Sequence, residues 1–194
     1  MGLNVGDFVV LSKNITNVEV ELNSVGIIKE MKNEGATINV FFIGKRVEVI
    51  LSDDLVTFID VTKTGKPYEY KICNVCHVLK KDIEEFDINQ TDAKGRKTTR
   101  PSCKKCRQII DGMPLSYSEK KRLDEQMPTH FFICPICNKG SIPNITANIV
   151  RDHDHLTGKA REWLCDSCNT GLGRFNDDID LLLSAIAYLK KHAN

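Results

Sequence analysis

Residues 151–169 read Arg151-Asp152-His153-Asp154-His155-Leu156-Thr157-Gly158-Lys159-Ala160-Arg161-Glu162-Trp163-Leu164-Cys165-Asp166-Ser167-Cys168-Asn169, and the knuckle Cys134-Pro135-Ile136-Cys137 precedes them. Two Cys-x-x-Cys pairs thus bracket an Asp-His-Asp-His run, and Asn169 follows the last cysteine directly. Four thiolates at this spacing suit one tetrahedral zinc. Cys134, Cys137, Cys165 and Cys168 are then spent on a frame, while the Asp/His run and Asn169 remain as surplus ligands and bases. On a strand, alternation sends Asp152 and Asp154 to one face and His153 and His155 to the other. A bend lets mixed groups converge. Leu156–Lys159 reads as a turn, Ala160–Leu164 as a return strand, and a helix starting near Cys168 carries Asn169. Two strands and a helix, closed by one zinc, bring Asp152, His153 and Asn169 together.

The other four cysteines repeat the spacing. Cys73, Cys76, Cys103 and Cys106 form two more Cys-x-x-Cys pairs, so all eight cysteines of the 194-residue chain are paired this way. A disulfide framework is rarely so regular, and the N-terminus has no basic stretch followed by an apolar one that would mark a secretory signal. In a reducing compartment, here read as cytoplasm (host cytoplasm if the chain is phage-encoded), the arithmetic gives two structural Zn2+ sites. A redox dithiol is the competing reading, but it usually comes once, beside a βαβ pattern absent here. Residues 68–112 read as a zinc ribbon with too little apolar surface to fold unaided, so zinc supplies the missing folding energy. His77 is a spare beside a complete set of four thiols.

Within this ribbon, Lys94, Arg96, Lys97, Arg100, Lys104, Lys105 and Arg107 accumulate, and no acidic residue occurs from Lys94 to Ile110. A charge run is ordinarily a solvated face. Concentrated beside a knuckle in a protein of net charge +1, it points to contact with the DNA backbone and a steep dependence on salt. Residues 1–61 lack cysteine and read as five short strands: alternation in Thr37-Ile38-Asn39-Val40-Phe41 and Arg46-Val47-Glu48-Val49-Ile50 fits half-buried antiparallel strands. An SH3-like β-barrel is expected, loosely similar to KOW and Tudor barrels, as a docking module for DNA or a protein partner or as a structural cap. Residues 62–67 read as a linker. Ser116-Tyr117-Ser118-Glu119 has capping-box spacing for a helix ending near Gln126. At the C-terminus, Ile179, Leu182, Leu183, Ile186 and Leu189 recur at helical spacing after Asn176-Asp177-Asp178, a stripe expected to pack on the zinc module. No apolar run is long enough for a membrane span.

The unspent groups suit phosphodiester hydrolysis. A hard cation takes oxygen ligands, here the Asp152 carboxylate and the Asn169 amide oxygen. His153, of the residue type most often used as a general base, can take the proton of an attacking water. His155 stands ready to contact phosphate or assist the base. Spare zinc ligands or a polar loop are the bland alternative; the doubled Asp-His pair and the Cys-Asn step together weigh against it.

From Cys134 to about Leu189 the chain resembles the recombination endonuclease VII family of phages, within the His-Me finger (HNH-type) nucleases. The resemblance rests on CPIC, on RDHDHLTGKAREWLCDSCNTGLGRF and on the following helix with AIAYLKK. It implies a ββα-metal finger with a four-cysteine zinc over residues 116–194, within an α+β, multi-module chain. It also implies Asp152 and Asn169 as ligands of catalytic Mg2+ or Mn2+, His153 as general base, His155 as a second active-site histidine, and DNA products with 5′-phosphate ends. The ribbon around Cys73–Cys106 looks like zinc segments ahead of HNH modules. Two departures stand out. The junction-resolving prototype has a glutamate three residues after the asparagine, where this chain has Leu172, and its long intertwining helical arm has no counterpart in the residues after Asn169. Nicking or double-strand cleavage is therefore expected ahead of junction resolution, with the oligomeric state left open. The rival from another class is a non-enzymatic zinc-finger DNA-binding protein, which has no use for Asp152, His153 and Asn169 together.

Overall fold

Alternating burial builds the first sheet. A computed structural model describes residues 2–16 and 18–193. In it β1 (Phe8–Leu11), β2 (Val25–Lys32), β3 (Thr37–Phe42), β4 (Val47–Ser52) and β5 (Val56–Phe58) pair antiparallel in the order β4-β3-β2-β1-β5. Every second residue of β3 (Ile38, Val40, Phe42) is fully buried, and these meet Val9, Leu11, Ile28, Val49, Leu51 and Val56 in one apolar cluster. The register shifts between Ile28 and Glu30, and such a bulge sharpens twist and bends the strand. The five strands expected from the sequence are present, but the sheet is open rather than a closed barrel: among the described residues β4 and β5 share no ladder. A single 3-10 turn, Asp53–Leu55, leads from β4 straight into β5, whose three residues are taken up by pairing with β1.

The chain divides into two units, Met1–Gln108 and Ile109–Asn194. In the first, the hairpin of β6 (Tyr70–Ile72) and β7 (Leu79–Lys81) carries Cys73 and Cys76 in its turn. A short helix α1 (Asp82–Glu85), a second hairpin of β8 (Ile88–Thr91) and β9 (Lys97–Thr99), and helix α2 (Lys104–Asp111), whose last residues belong to the second unit, follow. The buried cluster here is Cys73, Phe86, Cys103 and Cys106, so Phe86 is its one member that is not a thiol. Such a core carries little hydrophobic driving force of its own. Main-chain bonds tie this segment to the sheet: Val25 N donates to His77 O at 2.8 Å and Leu79 N to Asn23 O at 2.9 Å.

The second unit repeats the order of parts. After α3 (Tyr117–Asp124), the short hairpin of β10 (Phe132–Ile133) and β11 (Gly140–Ser141) carries Cys134 and Cys137. Then β12 (Ile149–His153) and β13 (Ala160–Cys165) form a longer hairpin, and α4 (Asp166–Arg174) and α5 (Ile179–His192) complete the unit. Leu115, Leu123, Phe132, Cys134, Ile149, Trp163 and Leu164 make its core. Ser116 caps α3 by accepting from Glu119 N at 3.3 Å.

The apolar stripe of α5 does not pack as expected. No residue of α5 is buried; Leu182 and Ala185 are half-buried, while Ile179, Leu183, Ile186 and Leu189 are exposed. The core of this unit draws on α3, β10, β12 and β13, with Leu172 of α4 against it. The left-handed residues Asn176 and Asp177 (φ 55° and 54°) then turn the chain before α5 begins. No helix among the described residues is long and apolar enough to cross a membrane.

Candidate metal centres and active site

Both cysteine sets converge. The ligand atoms of Cys73, Cys76, Cys103 and Cys106 lie within 4.8 Å of one another, as do those of Cys134, Cys137, Cys165 and Cys168. A tetrahedron with Zn–S near 2.3 Å has sulfurs about 3.8 Å apart, and Cys137 Sγ and Cys165 Sγ are 3.9 Å apart. Each set has one thiol prepared for charge. Burial pushes the Cys134 thiol up, but the amides of Cys137, Cys165 and Ile136 outweigh it and bring it down to about 6. Burial acts likewise on Cys73, and the amides of Cys103, Cys76 and Val75 bring it down to about 7. Burial and neighbouring thiols raise Cys76 to about 11 and Cys168 to about 12, with Cys106 and Cys165 also raised. Four thiols this close cannot all ionise without a cation, and the donor set fits zinc.

The β12–β13 hairpin presents the Asp/His run. Ladder partners are Arg151↔Trp163 and His153↔Ala160, with a register shift between them. Asp152 therefore faces two residues, Arg161 and Glu162, and strict alternation breaks at the point where the sequence reading needs a bend. The Asp152 side chain is buried, and Arg161 donates to its Oδ2 at 3.3 Å. His153 is half-buried, and its Nε2 is buried without a hydrogen-bond partner among the described residues. The His155 ring lies against it, centroids 4.7 Å apart and planes 59° apart. Asp154 organises the turn instead, its Oδ1 accepting from Leu156 N and Thr157 N, both at 2.8 Å. These bonds, the Thr157 amide first, hold its carboxyl below the usual range. Asn169, half-buried, sits in the first turn of α4, a helix that packs on β12 and β13. A buried carboxylate and an amide oxygen on adjoining elements fit a hard divalent cation.

Two residues of this site escape sequence reading. Arg161 NH1 also reaches Asp177 Oδ2 at 3.2 Å, and NH2 lies 3.8 Å from Asp154 Oδ2. Burial works against the guanidinium charge, but the Asp152 and Asp177 carboxylates outweigh it and raise its pKa above the ordinary value. Asp177 Oδ2 is also 3.8 Å from His155 Nδ1. In the sequence Asp177 looks like part of a helix cap, yet Asp178 alone caps α5, accepting from Asp180 N and Leu181 N. The only signal was an Asn-Asp step, two residue types that tolerate the left-handed conformation. Beside His153 opens a cavity of about 450 Å³, lined also by Asp111, Lys120, Arg151 and Trp163.

The seven basic residues of the ribbon are not one free patch. Lys94, Lys97 and Arg100 are exposed on or beside the β8–β9 hairpin. Arg96 Nε is held by Asp92 Oδ2 at 2.6 Å, Lys104 donates to Glu84 O at 2.7 Å, and Lys105 lies 4.0 Å from Glu21. Arg107 is half-buried near the end of the unit.

A bulged hairpin carrying Asp152-His153 against a helix carrying Asn169, framed by four cysteines, defines a ββα-metal nuclease. Residues 60–112 match the His-Me finger endonuclease beta4-alpha2 domain, and residues 112–191 match recombination endonuclease VII. Among solved structures, the chain is similar to the ββα-Me type II restriction endonuclease Hpy99I, with 51% identity over 98% of this chain and 100% of that one, at a TM-score of 0.88. No curated protein matches it. The chain belongs to the ββα-Me, or His-Me finger, endonucleases, and it is a metal-dependent DNA endonuclease.

Proposed function

We propose that this chain cuts both strands of duplex DNA as a restriction-type nuclease, with one divalent cation per active site. The observation that carries this reading is the Asp152-His153 pair on the bulged hairpin, in a chain similar throughout its length to a type II restriction endonuclease. Asp152 and Asn169 hold the cation, Mg2+ or Mn2+, which when bound stabilises negative charge at the phosphate and on the leaving oxygen. Because His153 Nε2 is sealed off, Nδ1 is the nitrogen that accepts the proton of the attacking water. The water oxygen bonds to phosphorus, the bond to the 3′-oxygen breaks, and the departing alkoxide takes a proton from a solvent water. The products carry 5′-phosphate and 3′-hydroxyl ends. His155, packed on His153, contacts the phosphate.

Zinc in both cysteine sets holds the frames, and thiols kept free for zinc suit a reducing compartment such as cytoplasm. The exposed β8–β9 hairpin, with Lys94, Arg96, Lys97 and Arg100, contacts the DNA backbone, helped by Lys104, Lys105 and Arg107. The first sheet, over residues 1–61, docks DNA or a partner. Cleavage mapping tests the proposal. Zinc-loaded protein is incubated with supercoiled, linear and branched DNA, with Mg2+ or EDTA, beside His153→Ala. Discrete double-strand fragments that need Mg2+ and His153 are expected. Nicks alone, or cutting confined to branched DNA, overturn the double-strand reading; full activity of His153→Ala overturns the assignment of the base.

A further inference from the structure

Arg161 poses an electrostatic problem. Its guanidinium rests on Asp152, the carboxylate assigned to the cation. A divalent ion entering there competes with Arg161 for the same charge, and two cations a few ångströms apart repel. Something must keep Arg161 at the rim of the site when Asp152 turns to the metal. Asp177 meets that need. Its side chain is only 13% exposed, one oxygen receives Arg161 at 3.2 Å, and the same oxygen faces His155 Nδ1 at 3.8 Å. The residue lies outside the hairpin and outside α4. It is aimed inward by two successive left-handed residues, and its amide is pinned to Leu172 O at 3.1 Å. A charged side chain this buried, in a backbone conformation uncommon for anything but Gly, Asn and Asp, is a built feature of the turn.

We propose that Asp177 is a positioning residue for hydrolysis: it draws Arg161 off Asp152 when the cation binds and holds Arg161 and His155 beside the scissile phosphate. This rests on the nuclease assignment of Asp152 and His153. Without Asp177, Arg161 stays on Asp152, and both cation affinity and the chemical step suffer. With Arg161 absent, Asp177 has nothing to draw away.

The test is a double-mutant cycle on the full, zinc-loaded chain with Asp177→Asn, Arg161→Gln and both together. Asparagine keeps the size and the left-handed tolerance of Asp177, so thermal unfolding is expected at the wild-type temperature. Mn2+ binding is read by electron paramagnetic resonance in the absence of DNA, and single-turnover cleavage at saturating Mn2+ gives the rate. Asp177→Asn is expected to weaken Mn2+ binding and slow cleavage by about 10-fold each, the size of effect seen for groups that orient metal ligands. Arg161→Gln is expected to bind Mn2+ more tightly than wild type while cutting slowly. The decisive result is that Asp177→Asn has no further effect on Mn2+ affinity in the Arg161→Gln background. If it weakens Mn2+ equally in both backgrounds, Asp177 acts by its own charge and the proposal falls. If Asp177→Asn binds and cuts as wild type does, it also falls, with the nuclease assignment intact. If instead wild type fails to cut DNA with Mn2+, it is the assignment itself that fails. Should Asp177→Asn misfold, Arg161→Gln still decides, because unchanged Mn2+ affinity there removes the competition on which the proposal depends.

Discussion

The carbonyl oxygen of His155 is approached from outside its own hairpin. Met113 N donates to it at 2.8 Å, and a Cβ on Gly112 would lie 2.1 Å from it, at a φ of 58°. Gly112→Ala therefore meets a backbone clash and a left-handed penalty together, and is expected to cost about 2 kcal/mol or more. Denaturant unfolding checks it; a midpoint equal to wild type would mean that the close approach is not kept in solution. Asp154 is open to a pH test. Its folded carboxyl is held below 3.8 by the Thr157 and Leu156 amides, so the bonds contribute fully above the unfolded value. That contribution is lost as pH falls through the lower, folded one. The stability gap between wild type and Asp154→Asn is thus expected to be constant from pH 7 to 5 and to close in acid below about 4. A gap that stays constant throughout the acid range contradicts it. At this scale the meeting of His153 and His155 beside a buried Asp152 was legible, because residue type and frame pointed to that run. Arg161 and Asp177 were not, because their roles depend on a bulge register and on two left-handed dihedrals, which leave no periodicity in the sequence.

Elements lean on one another through few, specific bonds. Trp163 of β13 donates from Nε1 to Leu123 O of α3 at 2.9 Å, in a buried position, with Arg151 stacked on the ring at 5.3 Å. Trp163→Phe keeps most of the apolar bulk but removes this bond, leaving Leu123 O with the Gln126 amide at 3.0 Å, an expected loss of about 0.5–1.5 kcal/mol. Thermal unfolding of the variant measures it, and an unchanged midpoint would show that water replaces the indole. The capping box of α3 was half legible. Ser116 accepts from Glu119 N, as the spacing predicts, but the Glu119 carboxylate turns to Ala160 N at 2.8 Å and to Arg122 at 3.1 Å. A contact 41 residues away in sequence has outbid a local one that pattern alone could see. For α5 the periodicity was read correctly and its meaning was not: helical spacing marks an apolar face without saying whether the chain supplies anything to cover it.

Across the whole chain, apolar burial and cysteine clusters divide the labour of stability. The first sheet has a ten-residue apolar cluster, whereas the cluster of the first cysteine set contains one residue other than cysteine. This division was plain in the sequence, since cysteine spacing is independent of register and strand alternation is local; closure of the first sheet was not, because it depends on how two edges meet. Metal removal should separate the parts. EDTA is expected to stop cleavage reversibly, with Mg2+ alone restoring it, because a cation held as proposed, by one carboxylate and one amide, would exchange readily. Stripping zinc with a thiol-directed reagent is expected to abolish cleavage that Mg2+ cannot restore, while zinc and reductant together can. The chain has one tryptophan, and Trp163 is packed in the cluster containing Cys134. Its emission should therefore shift to the red when zinc leaves the second unit, while amide exchange in β1–β4 stays slow. If the emission stays blue after full zinc removal, the second unit folds on its apolar core alone, and the cysteine frame is an orienting device rather than a condition of folding.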